Sequence, residues 1–325
     1  VYQGAATPVT ALLSFVPKTS GMVALIKMLF AFGAGSFLIS PPLVKLLWVI
    51  AVLTMTFGNV LGLLQNNIKR VLAYSSVAHS GYMLTGITAL AAAAGPESVR
   101  RTIHQNALTG VLFYLAAYGI MNAGAFGVLM LLPAKPGRRF GEPMPVTPTA
   151  DLPPASAETY EDIAGTGRTH PALGLMMAVS CFSLIGLPFT VGFFAKYYLI
   201  SPALQGHNIW LVILIVVNAA IAAAYYLKIV GTMFLRGDAD AAPAEPIDIH
   251  HLSSYFSFPV YTAVALSTIG TLFFGIILPA TQDLTNRAAV AASPTVPMIE
   301  IESASTVLPP PISSVAKPDR IIRNF

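Results

Sequence analysis

The chain has 325 residues, of which 55% are hydrophobic and only 10% are charged, whereas soluble domains carry about 25% charged residues. The net charge of +4 is small and scattered, and no basic stripe with interleaved aromatic residues predicts nucleic-acid binding. Six stretches carry no charge, and each exceeds the roughly 20 apolar residues that cross a bilayer: residues 46–68, 71–96, 102–134, 169–195, 197–227 and 249–282. The composition therefore excludes a soluble fold. It predicts an all-α polytopic membrane protein, because membrane-spanning strands would be about 10 residues long with strict alternation.

Seven transmembrane helices are predicted in chain order. We place them near residues 7–32, 46–66, 70–93, 105–133, 171–200, 207–235 and 257–280. A helix that contains Pro188 loses a backbone donor at that point, so we predict a broken helix there.

The connections between the predicted helices differ in character. Residues 67–70 form a tight polar hinge. The proline-rich segment 134–170 is predicted to be a solvent loop, with a short helix around 157–164. The tail 281–325 is rich in proline and serine without periodicity and is predicted to be disordered.

Four lysines lie within the predicted spans, and no acidic residue does. They are Lys18, Lys27, Lys196 and Lys228. A lysine at the centre of a transmembrane helix costs about 2.5–3.5 kcal/mol on insertion scales, and such residues mark ion or proton pathways. Lys196, which follows Pro188, and Lys18, which follows Pro17, are the main candidates for proton transfer. Lys27 and Lys228 are expected to extend to the interface, with Lys228 and the hinge residue Lys69 as secondary candidates.

His79 is the other candidate. It lies among Ser75, Ser76, Ser80 and Tyr82 in one predicted span. A neutral imidazole both donates and accepts a hydrogen bond, so this set indicates a hydrated proton relay. The alternative is a core histidine whose bonds are simply satisfied.

Motifs for cofactor chemistry are lacking in the sequence. It contains no Walker loop, GxGxxG, HExxH or cysteine cluster, and the lone Cys181 is predicted to be a buried, inert thiol. We therefore expect no nucleotide, iron–sulfur centre, haem or metal bound by this chain itself.

Several motifs together carry a family resemblance. They are VYQGA at 1–5, NIKRVLAYSS at 67–76, GAFG at 124–127, EDIAG at 161–165, LIGLP at 184–188 and GFFAK at 192–196. With these motifs the chain resembles the subunit N family of respiratory complex I, the proton-translocating NADH–quinone oxidoreductase. The likeness covers nearly all of residues 1–280, and the tail lies outside it.

The resemblance implies an architecture and roles for the candidates. The family has fourteen transmembrane helices arranged as two inverted five-helix repeats. Residues 1–280 would be an antiporter-like transmembrane domain holding helices eight to fourteen, that is, the C-terminal half of the family's fold. Because Val1 is not an initiator methionine, the chain is expected to be the remainder of a longer protein. Lys18 would match the connecting lysine of helix eight, His79 a relay position of helix ten, and Lys196 the lysine of the broken helix twelve.

The same resemblance implies a proton-translocating subunit that couples quinone reduction to proton transfer through buried lysines. The chain would belong to a translocase without performing redox chemistry, while NAD, FMN, iron–sulfur clusters and quinone would bind to partner subunits. Its partners would be other complex I membrane subunits and lipid, in the bacterial inner membrane or, alternatively, an energy-transducing organelle membrane. Two other functions stay open: a subunit of a multisubunit monovalent cation/proton antiporter, or a truncated structural element without its own proton uptake path.

Overall fold

The described part of the chain is almost entirely helical. The structure, a computed structural model, describes residues 6–33, 37, 39–93, 95–132, 157–236 and 257–277. The helices are α1 (Thr7–Phe32), α2 (Pro41–Leu63), α3 (Ile68–Ala92), α4 (Glu97–Leu131), α5 (Tyr160–Ile163), α6 (Thr166–Thr169), α7 (Pro171–Ile185), α8 (Val191–Gln205), α9 (Ile209–Leu235) and α10 (Ser257–Ile276). The tail predicted to be disordered lies outside the described residues.

Five of the described helices are long and apolar enough to cross a membrane. They are α1, α2, α4, α9 and residues Phe258–Ile276 of α10. Helix α7 is apolar but only 15 residues long, and α3 has the length without the hydropathy. The prediction of a helical membrane protein is confirmed, whereas the count of seven spans is not met by length and hydropathy.

Two helices start five and eight residues before their predicted positions, for identifiable reasons. Helix α2 starts at Pro41 rather than 46, since proline suits a first helical turn, where its missing N–H has no intrahelical partner anyway. Helix α4 starts at Glu97 rather than 105, because a charged first turn continues the helix beyond its apolar stretch. An i,i+4 pair of Glu97 with Arg101, 3.2 Å apart, lies in that turn.

The predicted break near Pro188 is present. Helix α7 ends at Ile185, Gly186 adopts the left-handed conformation with φ of 92°, and α8 begins at Val191. Phe189 also has a positive φ, of 65°, a strained conformation for an aromatic residue. The break leaves the last carbonyls of α7 without helical donors.

Helix α3 lies at the centre of the molecule. Twenty of its 25 residues are buried, and it packs against α1, α2, α4, α8 and α9. Its contact with α2 is so close that backbone touches backbone: a Cβ placed on Gly58 would lie 2.8 Å from the Ala78 Cα, and one placed on Gly81 would lie 2.8 Å from the Met55 Cα. This close approach is why the polar α3 is enclosed by protein.

Residues 157–170, which we call the strap, are the described part of the predicted solvent loop 134–170, and several of them are buried. Residues 134–156 of that prediction lie outside the described residues. The Ala157 N–H donates to the Leu132 carbonyl, and the Ile68 N–H donates to the Glu158 carbonyl, both at 2.7 Å. Ala157 and Ile163 are fully buried. The strap therefore packs across the ends of α3 and α4, and its predicted short helix is the single turn α5, which opens with a capping box of Thr159 and Asp162.

Candidate functional site

Lys18 contacts the middle of α3 across the helix interface. Its ammonium donates to the Ser76 carbonyl at 2.5 Å and to the Ser76 hydroxyl at 2.9 Å. The same Nζ lies 4.0 Å from the centre of the Tyr118 ring on α4, which is a cation–π contact. Lys18 is half-buried, so its charge is held by a carbonyl, a hydroxyl and an aromatic face.

His79 lies one turn further along α3 and is fully buried. Its Nδ1 is 2.8 Å from the Tyr114 hydroxyl, and its Nε2 is 3.3 Å from the Tyr226 hydroxyl. Tyr226 is also hydrogen-bonded to Ser75. Both ring nitrogens thus have a tyrosine hydroxyl as partner, and one of these hydroxyls continues into a further hydrogen bond.

Lys196 occupies the helix break. Its ammonium donates to the carbonyls of Leu184 at 3.2 Å and Ile185 at 2.5 Å, which are the last carbonyls of α7. The residue is 8% exposed. Its Nζ lies 5.1 Å from the centre of the Tyr82 ring. The carbonyls that the break leaves without helical donors therefore accept hydrogen bonds from the Lys196 ammonium, which gains buried partners in turn.

The three predicted proton-transfer residues form one row with aromatic rings between them. The Tyr118 and His79 ring centres are 4.9 Å apart, and those of His79 and Tyr82 are 5.6 Å apart. The sequence along the row is Lys18, Tyr118, His79, Tyr82 and Lys196, drawn from α1, α3, α4 and α8. We call these five residues, with Tyr114 and Tyr226, the central polar cluster.

The cluster contains no acidic group. Among the described residues of α1 to α4 and α7 to α10, the only carboxylate is Glu97, which is exposed at the start of α4. The charge balance of the cluster is thus carried by lysines and neutral dipoles. Two ammonium groups in one low-dielectric region repel each other more strongly than in water.

A neutral hydrogen-bond network supports the cluster from the side of α2 and α9. Asn59 donates to the Tyr82 hydroxyl at 3.0 Å and to the Asn218 side-chain oxygen at 3.1 Å, and it accepts from the Tyr225 hydroxyl at 3.0 Å. All four residues are buried. The network fixes the Tyr82 ring against which Lys196 lies.

The secondary lysines lie apart from the row. Lys69 is buried in an ion pair with Glu158 of the strap, at 2.8 Å. Lys228 is exposed on α9, with its Nζ 4.3 Å from the centre of the Tyr160 ring. Lys27 is exposed on α1, where it lines a shallow apolar groove with Phe15 and Val23. The structure does not bring any of these lysines into contact with Lys18 or Lys196.

Sequence reasoning missed the tyrosines that link the row. Tyr114, Tyr118 and Tyr226 are each at most 1% exposed, yet each lies in a span that the sequence analysis treated as uniformly apolar. Four tyrosines on α4 and α9 (residues 114, 118, 225 and 226) repeat at one-turn or adjacent spacing, and this spacing was the available signal.

Cys181 is buried, as predicted. Within the described residues no group of three or more His, Cys, Asp or Glu side chains is arranged to hold a metal ion.

Buried charged and polar residues at a helix break are typical of ion and transporter sites in membrane proteins. The chain belongs to the NADH:quinone oxidoreductase/Mrp antiporter transmembrane family, whose profile matches residues 1–222. Among its curated relatives is the NADH-quinone oxidoreductase subunit N of Trichlorobacter lovleyi, which is 40% identical over 278 residues. That match covers 85% of this chain and 48% of the relative, so the chain spans about half the length of the curated relatives it matches.

Solved structures show the same fold. A chain of respiratory complex I from Thermus thermophilus with bound aureothin is 25% identical and superposes with a TM-score of 0.58, covering 87% of this chain and 52% of that chain. A chain of the membrane-bound sulfane sulfur reductase, an archaeal respiratory membrane complex, is 20% identical with a TM-score of 0.66, covering 90% of this chain and 50% of that one. The protein is an integral membrane protein, and its relationship to bacterial complex I subunits places it in the bacterial inner membrane.

Proposed function

We propose that this chain is a proton-translocating membrane subunit of NADH–quinone oxidoreductase, of the subunit N type, corresponding to the C-terminal half of its relatives. Its family and its subunit N relatives support this assignment. The observation that carries the proposal is the row from Lys18 through His79 to Lys196, which is enclosed among α1, α3, α4 and α8 and has no carboxylate partner among the described residues.

In the proposed mechanism a proton moves along this row. Lys18 accepts a proton and, with intervening water, passes it towards His79. The imidazole accepts at one nitrogen while it donates from the other, so it relays the proton without a lasting change of charge. Lys196 receives the proton at the helix break. Repulsion between successive ammonium groups then favours release from Lys196 to the opposite side of the membrane.

Seven membrane crossings follow from the same proposal. Helices α7 and α8 are each about 22 Å long, which is short of a bilayer core of about 30 Å, but end to end they exceed it. We assign them to one broken crossing. Helix α3 crosses as a helix surrounded by protein, and for that reason it does not need the hydropathy of a lipid-facing span.

Energy for the movement of protons would come from partner subunits. In this proposal NAD, FMN, iron–sulfur clusters and quinone belong to those partners, and other complex I membrane subunits contact this chain within the bilayer. Quinone reduction would change the charge near the row, and the change would propagate as a shift in which lysine holds the proton.

The decisive experiment replaces Lys196 with Ala in the full complex. Proton pumping by sealed vesicles should fall at least tenfold, because the ammonium at the break would be gone, while the matched variant Lys27→Ala removes an exposed lysine of α1 and should pump normally. Pumping is measured by a fluorescent pH indicator alongside quinone reduction. Unchanged pumping in Lys196→Ala would overturn the proposed function.

A second candidate is a subunit of a multisubunit monovalent cation/proton antiporter. It is favoured by the family itself, which includes the Mrp antiporters. The two assignments differ in their partners. Affinity purification of the tagged chain should recover quinone-reducing subunits under the first proposal, and further antiporter subunits without quinone reductase activity under the second.

A further inference from the structure

The strap buries a tyrosine hydroxyl that has no hydrogen-bond partner among the described residues. Tyr160 is 6% exposed, and its hydroxyl is inaccessible to solvent. Buried hydroxyl groups in folded proteins are nearly always paired with protein or ordered water. A hydroxyl left free at this point therefore indicates a place for a water molecule or a proton carrier.

Lys228 lies at the outer side of Tyr160. Its Nζ is 4.3 Å from the centre of the tyrosine ring, and the lysine itself is exposed. The charged residues nearby are otherwise engaged: Lys69 is paired with Glu158, and the Asp162 carboxylate accepts from the Thr159 N–H and hydroxyl in the capping box. Glu161 is exposed beside Tyr160. Lys228 is thus the exposed cation in contact with Tyr160.

On its inner side the strap packs against α9, because helix α5, which contains Tyr160, contacts that helix. Tyr226 lies on the same helix α9, two residues before Lys228. Tyr226 is hydrogen-bonded to His79 Nε2 at 3.3 Å and also to Ser75. Helix α9 therefore contacts the strap through Lys228 and the central polar cluster through Tyr226.

We propose that Tyr160 and Lys228 form a proton-uptake site at the strap, from which protons reach His79 through Tyr226. The proposal rests on the proposed function, to which it adds a second source of protons besides Lys18. At each hydroxyl, and at a water molecule between Tyr160 and Tyr226, the oxygen gains a proton from its outer neighbour and gives its own to the inner one. One O–H bond forms as another breaks, no electron is transferred, and one proton moves inward with each cycle.

The state of Tyr160 suits this role. Burial raises the pKa of its hydroxyl to about 12, with a smaller contribution from Cys181, so at neutral pH the hydroxyl stays protonated and releases its proton only as it gains another. Loss of that single hydroxyl would interrupt the route and leave the ring, and its contact with Lys228, in place.

The test is Tyr160→Phe in the full complex, with Tyr74→Phe as the matched control on a half-buried tyrosine of α3. Proton pumping is measured in vesicles with the strap side exposed, from pH 6 to pH 8. Tyr160→Phe should pump about three- to tenfold more slowly, and the deficit should grow as the pH rises, because protons are scarcer and uptake becomes limiting. Tyr74→Phe should match the unmodified protein at every pH.

Lys228→Gln provides a second variant that keeps the buried hydroxyl and so does not depend on the folding of Tyr160→Phe. It should show a smaller deficit with the same pH trend. If both variants pump like the unmodified protein across the range, or if the deficit is the same at all pH values, the uptake site is refuted. The Lys196→Ala result separates the two ideas: lost pumping there with normal Tyr160→Phe and Lys228→Gln refutes this inference alone, whereas normal pumping in Lys196→Ala refutes the proposed function.

Discussion

Helices α3 and α1 have similar lengths and opposite surroundings. Twenty of the 25 residues of α3 are buried, against five of the 26 residues of α1. Nevertheless α1 has the hydropathy of a membrane span and α3 does not. The comparison shows that a helix buried within the protein can lack the hydropathy of a membrane span, although α4 keeps that hydropathy with 72% of its apolar window buried. A helix surrounded by protein is free to carry the serines, histidine and tyrosine that form a site.

The largest expected effect comes from replacing one glycine in each of these two helices. Gly81 of α3 packs against the Met55 backbone, and a Cβ placed there would lie 2.7 Å from the Met55 Cβ. We expect Gly81→Ala to lower the free energy of unfolding by about 3 kcal/mol, since backbone cannot move aside as a side chain does. Gly21 of α1 has no neighbouring atom within 4 Å of such a Cβ. Gly21→Ala should instead stabilise by about 0.5–1 kcal/mol through helix propensity. Equilibrium unfolding in mixed micelles measures both, and equal effects would contradict the comparison.

A smaller effect is expected from the buried histidine of α3. His79→Leu leaves the Tyr114 hydroxyl without its Nδ1 partner, whereas Tyr226 keeps its bond to Ser75. An unsatisfied buried hydroxyl costs about 2 kcal/mol, and the free energy of unfolding should fall by that amount. The double variant His79→Leu with Tyr114→Phe removes both polar partners and should recover most of the loss. A double variant no more stable than His79→Leu would show that the bond to Tyr114 is not the cause.

The smallest effect concerns the ion pair at the beginning of α3. Glu158→Gln leaves the buried Lys69 ammonium without its carboxylate, but the Glu158 side chain is 36% exposed and solvent screens the pair. We expect a loss of about 1 kcal/mol. The matched variant is Glu97→Gln, which removes the exposed pair with Arg101 and should have no measurable effect. Thermal unfolding of the two variants side by side gives the answer, and an equal response would mean that burial of Lys69 does not strengthen its pair.

Much of the fold could be predicted from the sequence. Runs without charge located α2, α3, α4, α9 and α10, because apolar length is what a bilayer requires. Helix α1, which carries Lys18 and Lys27, lies outside these runs. Pro188 located the helix break, because proline removes a backbone donor regardless of tertiary context. Helix ends were less accurate. Charged first turns such as that of α4 continue a helix beyond its apolar stretch, and hydropathy does not detect them.

The candidate site was less accessible to sequence reasoning. Lys18, His79 and Lys196 stood out because each is costly in its surroundings. Tyr118 and Tyr226 are not costly there, since an aromatic ring suits an apolar helix and its hydroxyl needs only one partner. Their importance depends on which helices are neighbours. The ion pair of the strap was equally difficult to predict. Glu158 lies 89 residues from Lys69 in the chain, and no local sequence pattern predicts their pairing.

The carbonyls of Leu184 and Ile185 at the helix break balance the charge of a buried lysine. They lie at the C-terminal end of α7, where the helix dipole is negative, and both accept from Lys196. The backbone thus acts as the counter-ion of this lysine. A carboxylate in that place would compete for the proton that it helps to hold, whereas an amide oxygen does not take a proton at physiological pH. The break provides Lys196 with a fixed negative partner that cannot itself be titrated.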